Sequence, residues 1–362
     1  MVYMADEIDI IKLLEEKKEV IDSCIKKYIP EHFDEKYLEW ALGKPRYKYS
    51  AEALNKAIAE PVWDLLNRGG KRWRPVLFLL IAEALGGDPS KYLDLVVIPE
   101  VIHNGTLMVD DIEDQSETRR GKPCTHKIFG EDIAINAGNT MYYLPLLVLM
   151  KNKDKLDDKT LVSLYETYVQ EMINVSSGQA TDIAWHKGIA NSDNITEQEY
   201  MQMCAYKTGC LARMAAKIGA IVAGADQQTT EKIGKFAEAI GVAFQIQDDV
   251  LSASGEAFQK RKGYGDDITE GKRTLIVIHA LKNLEARDRK RLVEILNMHT
   301  KDESLITEAL NLLKQKGSVD YSKSVAKEMV RDTWKDVDAL LKPSDAKGKL
   351  KKFVDYLVER EI

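Results

Sequence analysis

A chain of 362 residues with 44% hydrophobic and 30% charged side chains is long enough to bury a sizeable core and too apolar for default disorder. Its formal net charge of −6 excludes a general nucleic-acid binder, because neutralising many phosphates demands a broad basic surface. The four cysteines, Cys24, Cys124, Cys204 and Cys210, make neither a CxxC pair nor a disulfide framework and suit a reducing cytoplasm.

The stretch from Met1 to Glu16 is acidic and lacks a basic region followed by an apolar one, so it reads as neither a secretory signal nor a transit peptide. Residues 1–45 read as a charged, amphipathic N-terminal helical extension that ends near Gly43-Lys44-Pro45. Residues 46–362 read as one all-α domain, since apolar residues recur at three- and four-residue spacing and sustained alternation is missing. Helices are predicted over Ala51 to Asn67, Arg74 to Leu85, Ser90 to Ser116, Ile133 to Met150, Lys159 to Asp182, Thr196 to Gly224, Thr229 to Ser252 and Arg273 to Asn283, with about three more after Ala286. Turn-forming clusters such as Gly69-Gly70, Gly121-Lys122-Pro123 and Gly263-Tyr264-Gly265 separate them. The apolar run Tyr142 to Met150 is too short to cross a bilayer, so no transmembrane segment is expected.

Two acidic clusters stand out. In Asp110-Asp111-Ile112-Glu113-Asp114 the first and last aspartates are four apart and share one helix face, while Asp111 points about 100° away. Two carboxylates on one stripe invite a shared hard cation such as Mg²⁺, with phosphate oxygens completing its shell. A lone cluster of this kind is more often a solvated helix end, but its neighbours are not those of a solvated face. Arg119-Arg120-Gly121 follows it, and Gly69-Gly70-Lys71-Arg72-Trp73-Arg74-Pro75 places cations beside glycines at a helix start. Arg forks, Lys point charges and exposed backbone amides are the usual equipment for holding phosphate. The second pair, Asp248-Asp249, lies in the apolar helix that carries Phe244-Gln245, and a Gly-punctuated loop with Lys262, Glu270-Gly271 and Lys272 follows.

These motifs, with Lys207-Thr208 between them, resemble those of the trans-isoprenyl diphosphate synthases, the farnesyl and geranylgeranyl diphosphate synthase family, over about Ala51 to Asn283. The resemblance implies a single large helical bundle around a central cavity and a homodimer. It also implies head-to-tail condensation of isopentenyl diphosphate with dimethylallyl, geranyl or farnesyl diphosphate. It further implies three Mg²⁺ per site, with Asp110, Asp114 and Asp248 as metal ligands and Asp111 and Asp249 behind them. Arg119, Lys207 and Lys262 would contact the allylic diphosphate, with Thr208 and Gln245 near the reacting carbons. Lys71, Arg74, His103 and Arg120 would hold the metal-free isopentenyl diphosphate, and Lys272 would assist or anchor its loop. An isolated histidine is more often a packed core residue, and only its place in this pattern assigns His103 to the site. One departure is Ser252, which stands where the family often carries a further aspartate four residues after Asp248.

In the family, bulky residues four or five positions before the first aspartate stop growth early. Here those positions are Thr106 and Gly105. One helical turn, about 5.4 Å, roughly matches one five-carbon unit, so an open first turn implies a twenty-carbon product, with Ile102, Ile98 or Tyr142-Tyr143 as a deeper stop. The alternatives are a farnesyl or longer-chain synthase, a class I terpene cyclase, which needs no isopentenyl site, and a silent regulatory subunit, which would be expected to lose an aspartate motif.

Overall fold

The computed structural model describes residues 9–190, 194–254 and 265–359. The chain is a helical bundle, with one short antiparallel hairpin, Thr118–Arg119 paired with Lys122–Pro123, among the described residues. Helix α1 (Ile10–Tyr28) starts on Asp9, whose carboxylate accepts from the amides of Ile11 and Lys12, and α2 is Glu35–Leu42. Both lie in the N-terminal extension, yet Ile21, Ile25 and Leu38 are buried in the same apolar cluster as the rest of the bundle. Helix α3 covers residues 51–66 with a π turn at Asn55–Ala59, and α4 is Trp73–Ala84.

A 3₁₀ stretch, Pro89–Val96, leads into α5 (Val97–Glu113), which carries the first acidic cluster. The helix stops short of the predicted Ser116 because Gln115 takes a left-handed conformation, and the amide of Ser116 returns to the carbonyl of Asp111 at 2.9 Å. Asp114 is therefore the C-cap, still one turn from Asp110. Helix α6 (Glu131–Tyr143) crosses α5 closely: a Cβ at Gly105 would lie 2.9 Å from the Gly138 carbonyl oxygen and 2.8 Å from Met141 Cβ. The stretch Glu131–Lys155 has the length and composition to cross a membrane, but in the fold it is broken at Leu144–Leu146, around Pro145, and α6 packs on α5.

Helix α7 (Asp158–His186) is capped by Asp157. Helix α8 spans residues 197–222 and opens on a capping box of Thr196 and Glu199, with a π turn at Ala205–Gly209 in its middle. Helix α9 (Gln227–Ser254) packs between α8 and a C-terminal helix, Ser318–Asp338. After Leu275–Asn283, four helices follow among the described residues where about three are predicted: Ala286–Asn297, Glu303–Gln315, Ser318–Asp338 and Asp345–Glu359.

Candidate active site

Helices α5, α7, α8 and α9 surround a cavity of about 1010 Å³. Its lining includes the charged groups Asp110, Asp114, Asp182, Asp248, Asp249 and Lys207 and the less polar Thr106, Leu107, Tyr142, Met172, Val175, Leu211 and Phe244. A cavity lined by both charged and apolar groups suits an amphiphile with an anionic head.

The first acidic cluster is held from two sides. Gln179 Nε2 donates to Asp110 Oδ1 at 2.8 Å and to Glu113 Oε2 at 2.7 Å. Lys207 Nζ lies 3.1 Å from Asp110 Oδ1 and 2.5 Å from Asp182 Oδ2. Two local features bring these groups together. At Gly178 a Cβ would sit 2.2 Å from the Lys207 amide nitrogen, so only glycine lets α7 lie directly on α8 there. The π turn of α8 then carries Lys207 and Thr208 at this crossing. Burial pushes the Asp110 carboxyl up, but the ammonium groups of Lys207 and Lys272 and the Arg119 guanidinium outweigh it and leave it well below the usual range. Burial acts on Lys207 in the opposite sense and is overcome by Asp110 and Asp182, so its ammonium is held more firmly than in water.

Asp111 faces away from the cavity, as the 100° offset predicts, and is 1% exposed. It accepts from Arg119 Nε at 2.8 Å. The hairpin makes this contact possible: Arg120 and Gly121 both take left-handed conformations at its turn and fold Arg119 back onto α5. Asp114 Oδ2 is 3.4 Å from Lys272 Nζ, which also pairs with Glu270. Lys272 thereby ties the segment after α9 to the first acidic cluster.

On α9, Asp248 lines the cavity and Asp249 points into a buried chain of hydrogen bonds. Tyr200 Oη donates to Asp249 Oδ2 at 2.7 Å, and Gln245 Nε2 donates to Asp249 Oδ1 at 2.9 Å. Gln245 Oε1 in turn accepts from Thr208 Oγ1 at 3.0 Å. Asp249 thus orients Gln245 and Thr208, and burial raises its carboxyl to about 7, with the nearby Asp267 adding to the shift. Ser252 lines a separate, very small cavity with Asp267 and Lys272. Lys262 lies outside the described residues.

The cations expected to hold the second anion divide. Arg74 lies on the cavity wall, 4% exposed, with its guanidinium 4.3 Å from the Trp73 ring centroid and Nε without a hydrogen-bond partner. Burial lowers its pKa to about 10, so it stays charged. His103 is on the same wall and is kept neutral by burial and by Arg74, Arg120 and Arg119. Lys71 instead is exposed and donates to Tyr356 Oη at 3.2 Å on the C-terminal helix. Arg120 lies behind the wall with Nη1 on the Gly69 carbonyl. Trp73 lines the cavity as well and stacks on Phe244 at 5.2 Å.

Of the two positions expected at the first turn below Asp110, only Thr106 faces the cavity; Gly105 lies in the α5–α6 crossing. Ile102 and Ile98 are core residues that do not line the cavity, and Tyr143 is 67% exposed, which leaves Tyr142 as the expected stop that stands on the wall. Gln179, Asp182 and His186 belong to the site and were not anticipated, and Glu113, quoted within the first acidic cluster, had no role assigned. Gln179, Asp182 and His186 at three- and four-residue spacing form a polar stripe on α7 that would have revealed them.

Among the described residues, Asp and Glu outnumber Lys and Arg on the cavity wall. Among those residues no group of three or more His, Cys, Asp or Glu already converges as a ready-made metal site. The donor set still fits a hard divalent cation: it is made of carboxylate oxygens, and Asp114 Oδ1 is buried without a hydrogen-bond partner.

The family model for polyprenyl synthetase matches residues 55–313. A short chain isoprenyl diphosphate synthase of Methanothermobacter thermautotrophicus is 36% identical over 326 residues, covering 87% of this chain and 97% of that one. A geranylgeranyl diphosphate synthase of Sulfolobus acidocaldarius is 30% identical, covering 84% of this chain and 91% of that one. The crystal structure of a geranylgeranyl pyrophosphate synthetase from Pyrococcus horikoshii superposes with a TM-score of 0.82 at 33% identity, covering 97% of this chain and 98% of that one.

Proposed function

The chain belongs to the polyprenyl synthetase family, and on that premise we propose that it condenses isopentenyl diphosphate with allylic diphosphates, with geranylgeranyl diphosphate as the main product. It is a trans-prenyltransferase. The observation that carries the reading is the meeting of Asp110, Asp114, Asp248, Asp249, Lys207, Arg74 and His103 on one cavity that is also lined by apolar side chains.

Asp110, Asp114 and Asp248 would hold Mg²⁺, three ions per site, which supply Lewis-acid neutralisation of the departing diphosphate. Lys207, Arg119 and Lys272 add fixed positive charge beside the same group, and such preorganised charge does not have to reorganise as the carbon–oxygen bond breaks. Gln245 and Thr208, held by Asp249 and Tyr200, present amide and hydroxyl dipoles to the developing allylic cation. Arg74 supplies charge and neutral His103 a hydrogen-bonding nitrogen for the second diphosphate. The wall of Leu107, Met172, Val175, Leu211 and Phe244 shields the cation from water until the isopentenyl double bond attacks and a proton is lost to the released diphosphate.

Thr106 supports the chain-length assignment. With isopentenyl diphosphate and dimethylallyl, geranyl or farnesyl diphosphate, the purified chain is expected to accumulate a twenty-carbon product, and Thr106→Phe to shift it to fifteen carbons. Mass analysis of the products reads both results. A Thr106→Phe variant that still makes only the twenty-carbon chain would overturn the placement of the floor.

The protein acts as a homodimer in the cytoplasm. Support for the dimer comes from a stripe of exposed apolar residues on α7, Val162, Val169 and Ile173, with Ile128, Ile135 and Tyr143 exposed as well. Sedimentation is expected to return twice the monomer mass, falling to the monomer when Val169 and Ile173 are both changed to Lys. A wild-type monomer at micromolar concentration counts against it. Four free, buried cysteines agree with a reducing compartment.

A further inference from the structure

The motif Gly69 to Pro75 has an internal residue, Arg72, that touches no part of the cavity and is nevertheless the most heavily bonded side chain of the segment. Arg72 is 3% exposed and sits in the left-handed region at φ 51°, a conformation that costs a non-glycine residue about 1 kcal/mol. Its guanidinium offsets that strain. Nε donates to Asp22 Oδ1 at 2.8 Å, Nη1 to Glu100 Oε1 at 2.9 Å, and Nη2 to the Leu66 carbonyl at 3.2 Å. Burial works against the charge, but Glu100 and Asp22 together keep the group firmly protonated.

The three partners come from three places. Leu66 ends α3, Glu100 stands on α5 one turn before His103 and Asn104, and Asp22 stands on α1 in the N-terminal extension. Arg72 is the residue on which α4 begins, and its carbonyl accepts from the Val76 amide at 3.2 Å. Two residues on, in the first turn, Arg74 enters the cavity. Whatever sets the backbone at Arg72 therefore sets where Arg74 points. The space is tight as well, since a Cβ at Gly70 would lie 2.8 Å from Arg72 Nη1.

We infer that Asp22 is a positioning residue for the isopentenyl-diphosphate pocket: from the N-terminal helix it locks Arg72, and through Arg72 the turn that delivers Arg74. This rests on the prenyltransferase reading above. The extension is then part of the substrate-binding apparatus as well as of the core. Asp22 is 30% exposed at its side chain, so neutralising it removes one of the two charges that hold Arg72 without opening the core. The effect belongs in affinity for one substrate, not in stability.

The test is calorimetric titration of isopentenyl diphosphate in EDTA into the full chain, with steady-state KM for both substrates alongside. Asp22→Asn is expected to weaken isopentenyl diphosphate binding about fivefold, the scale of a partly exposed ion pair, with KM for geranyl diphosphate unchanged. Asp22→Glu should restore binding, and Glu19→Gln, an equal charge change on the same helix, should have no effect. Arg72→Lys keeps the charge but cannot reach Asp22 and Glu100 through separate nitrogens, and it provides an independent weakening should Asp22→Asn fold poorly. Unchanged binding in both Asp22→Asn and Arg72→Lys overturns the inference. Failure of the wild-type chain to bind isopentenyl diphosphate strikes the prenyltransferase reading itself and removes the inference with it.

Discussion

Asp110→Ala is expected to lower the condensation rate by at least about 10²–10³ while changing thermal stability little. The asymmetry follows from its contacts. Lys207 bridges Asp110 and Asp182, so removing Asp110 still leaves the buried ammonium paired at 2.5 Å with Asp182. The structural loss is two charge-assisted hydrogen bonds, from Gln179 and Lys207, of about 1.5–3 kcal/mol each, which Glu113 and Asp182 recover in part and the relieved repulsion on Glu113 and Asp114 offsets further. The catalytic loss is a carboxylate at the point where the leaving diphosphate must be neutralised. Assays with labelled isopentenyl and geranyl diphosphates in Mg²⁺ measure it, and a rate within tenfold of wild type would falsify the assignment of Asp110 as a metal ligand.

Lys207→Met carries the opposite signature, a large loss in both rate and stability. The methionine fills the same space but leaves Asp110 and Asp182 facing each other without a cation between them. Breaking a buried pair from one side costs about 3–5 kcal/mol, and the residual exposure of Lys207, 20%, places this site toward the lower end. The rate is expected to fall about 10²-fold, since a fixed charge beside the leaving group is lost. Adding Asp182→Asn should recover much of the stability in denaturant melts and none of the rate. If the double variant regains activity with stability, Lys207 is a structural counter-ion and not part of the catalytic charge.

Much of this molecule was legible in its residue order. Helical periodicity is a local property, and the predicted helices from Ala51 to Asn283 correspond to observed ones, with ends shifted by a few residues. The shifts have local causes as well: Gln115 ends α5 early by turning left-handed, and Pro145 breaks α6. The opposite facing of Asp110 and Asp111 was also legible, because rotation per residue is fixed within a helix. The hairpin that returns Arg119 to Asp111 was not, since strands of two residues carry no alternation to detect.

Sequence alone determined the helical class, the two acidic pairs, the cations spaced around them and hence the family. Tertiary structure decided which of those groups meet. Lys207 reaches Asp110 and Asp182 because a glycine at position 178 lets two helices touch, a fact about two segments far apart in the chain. Asp249 turned out to hold Gln245, Lys272 to reach back across the site to Asp114, and Gly105 to serve a helix crossing while Thr106 alone faces the cavity. The physical reason is the same in each case. Side-chain chemistry and helical rotation are written locally, whereas the distance between two charged atoms depends on how closely backbones pack, which no segment specifies by itself.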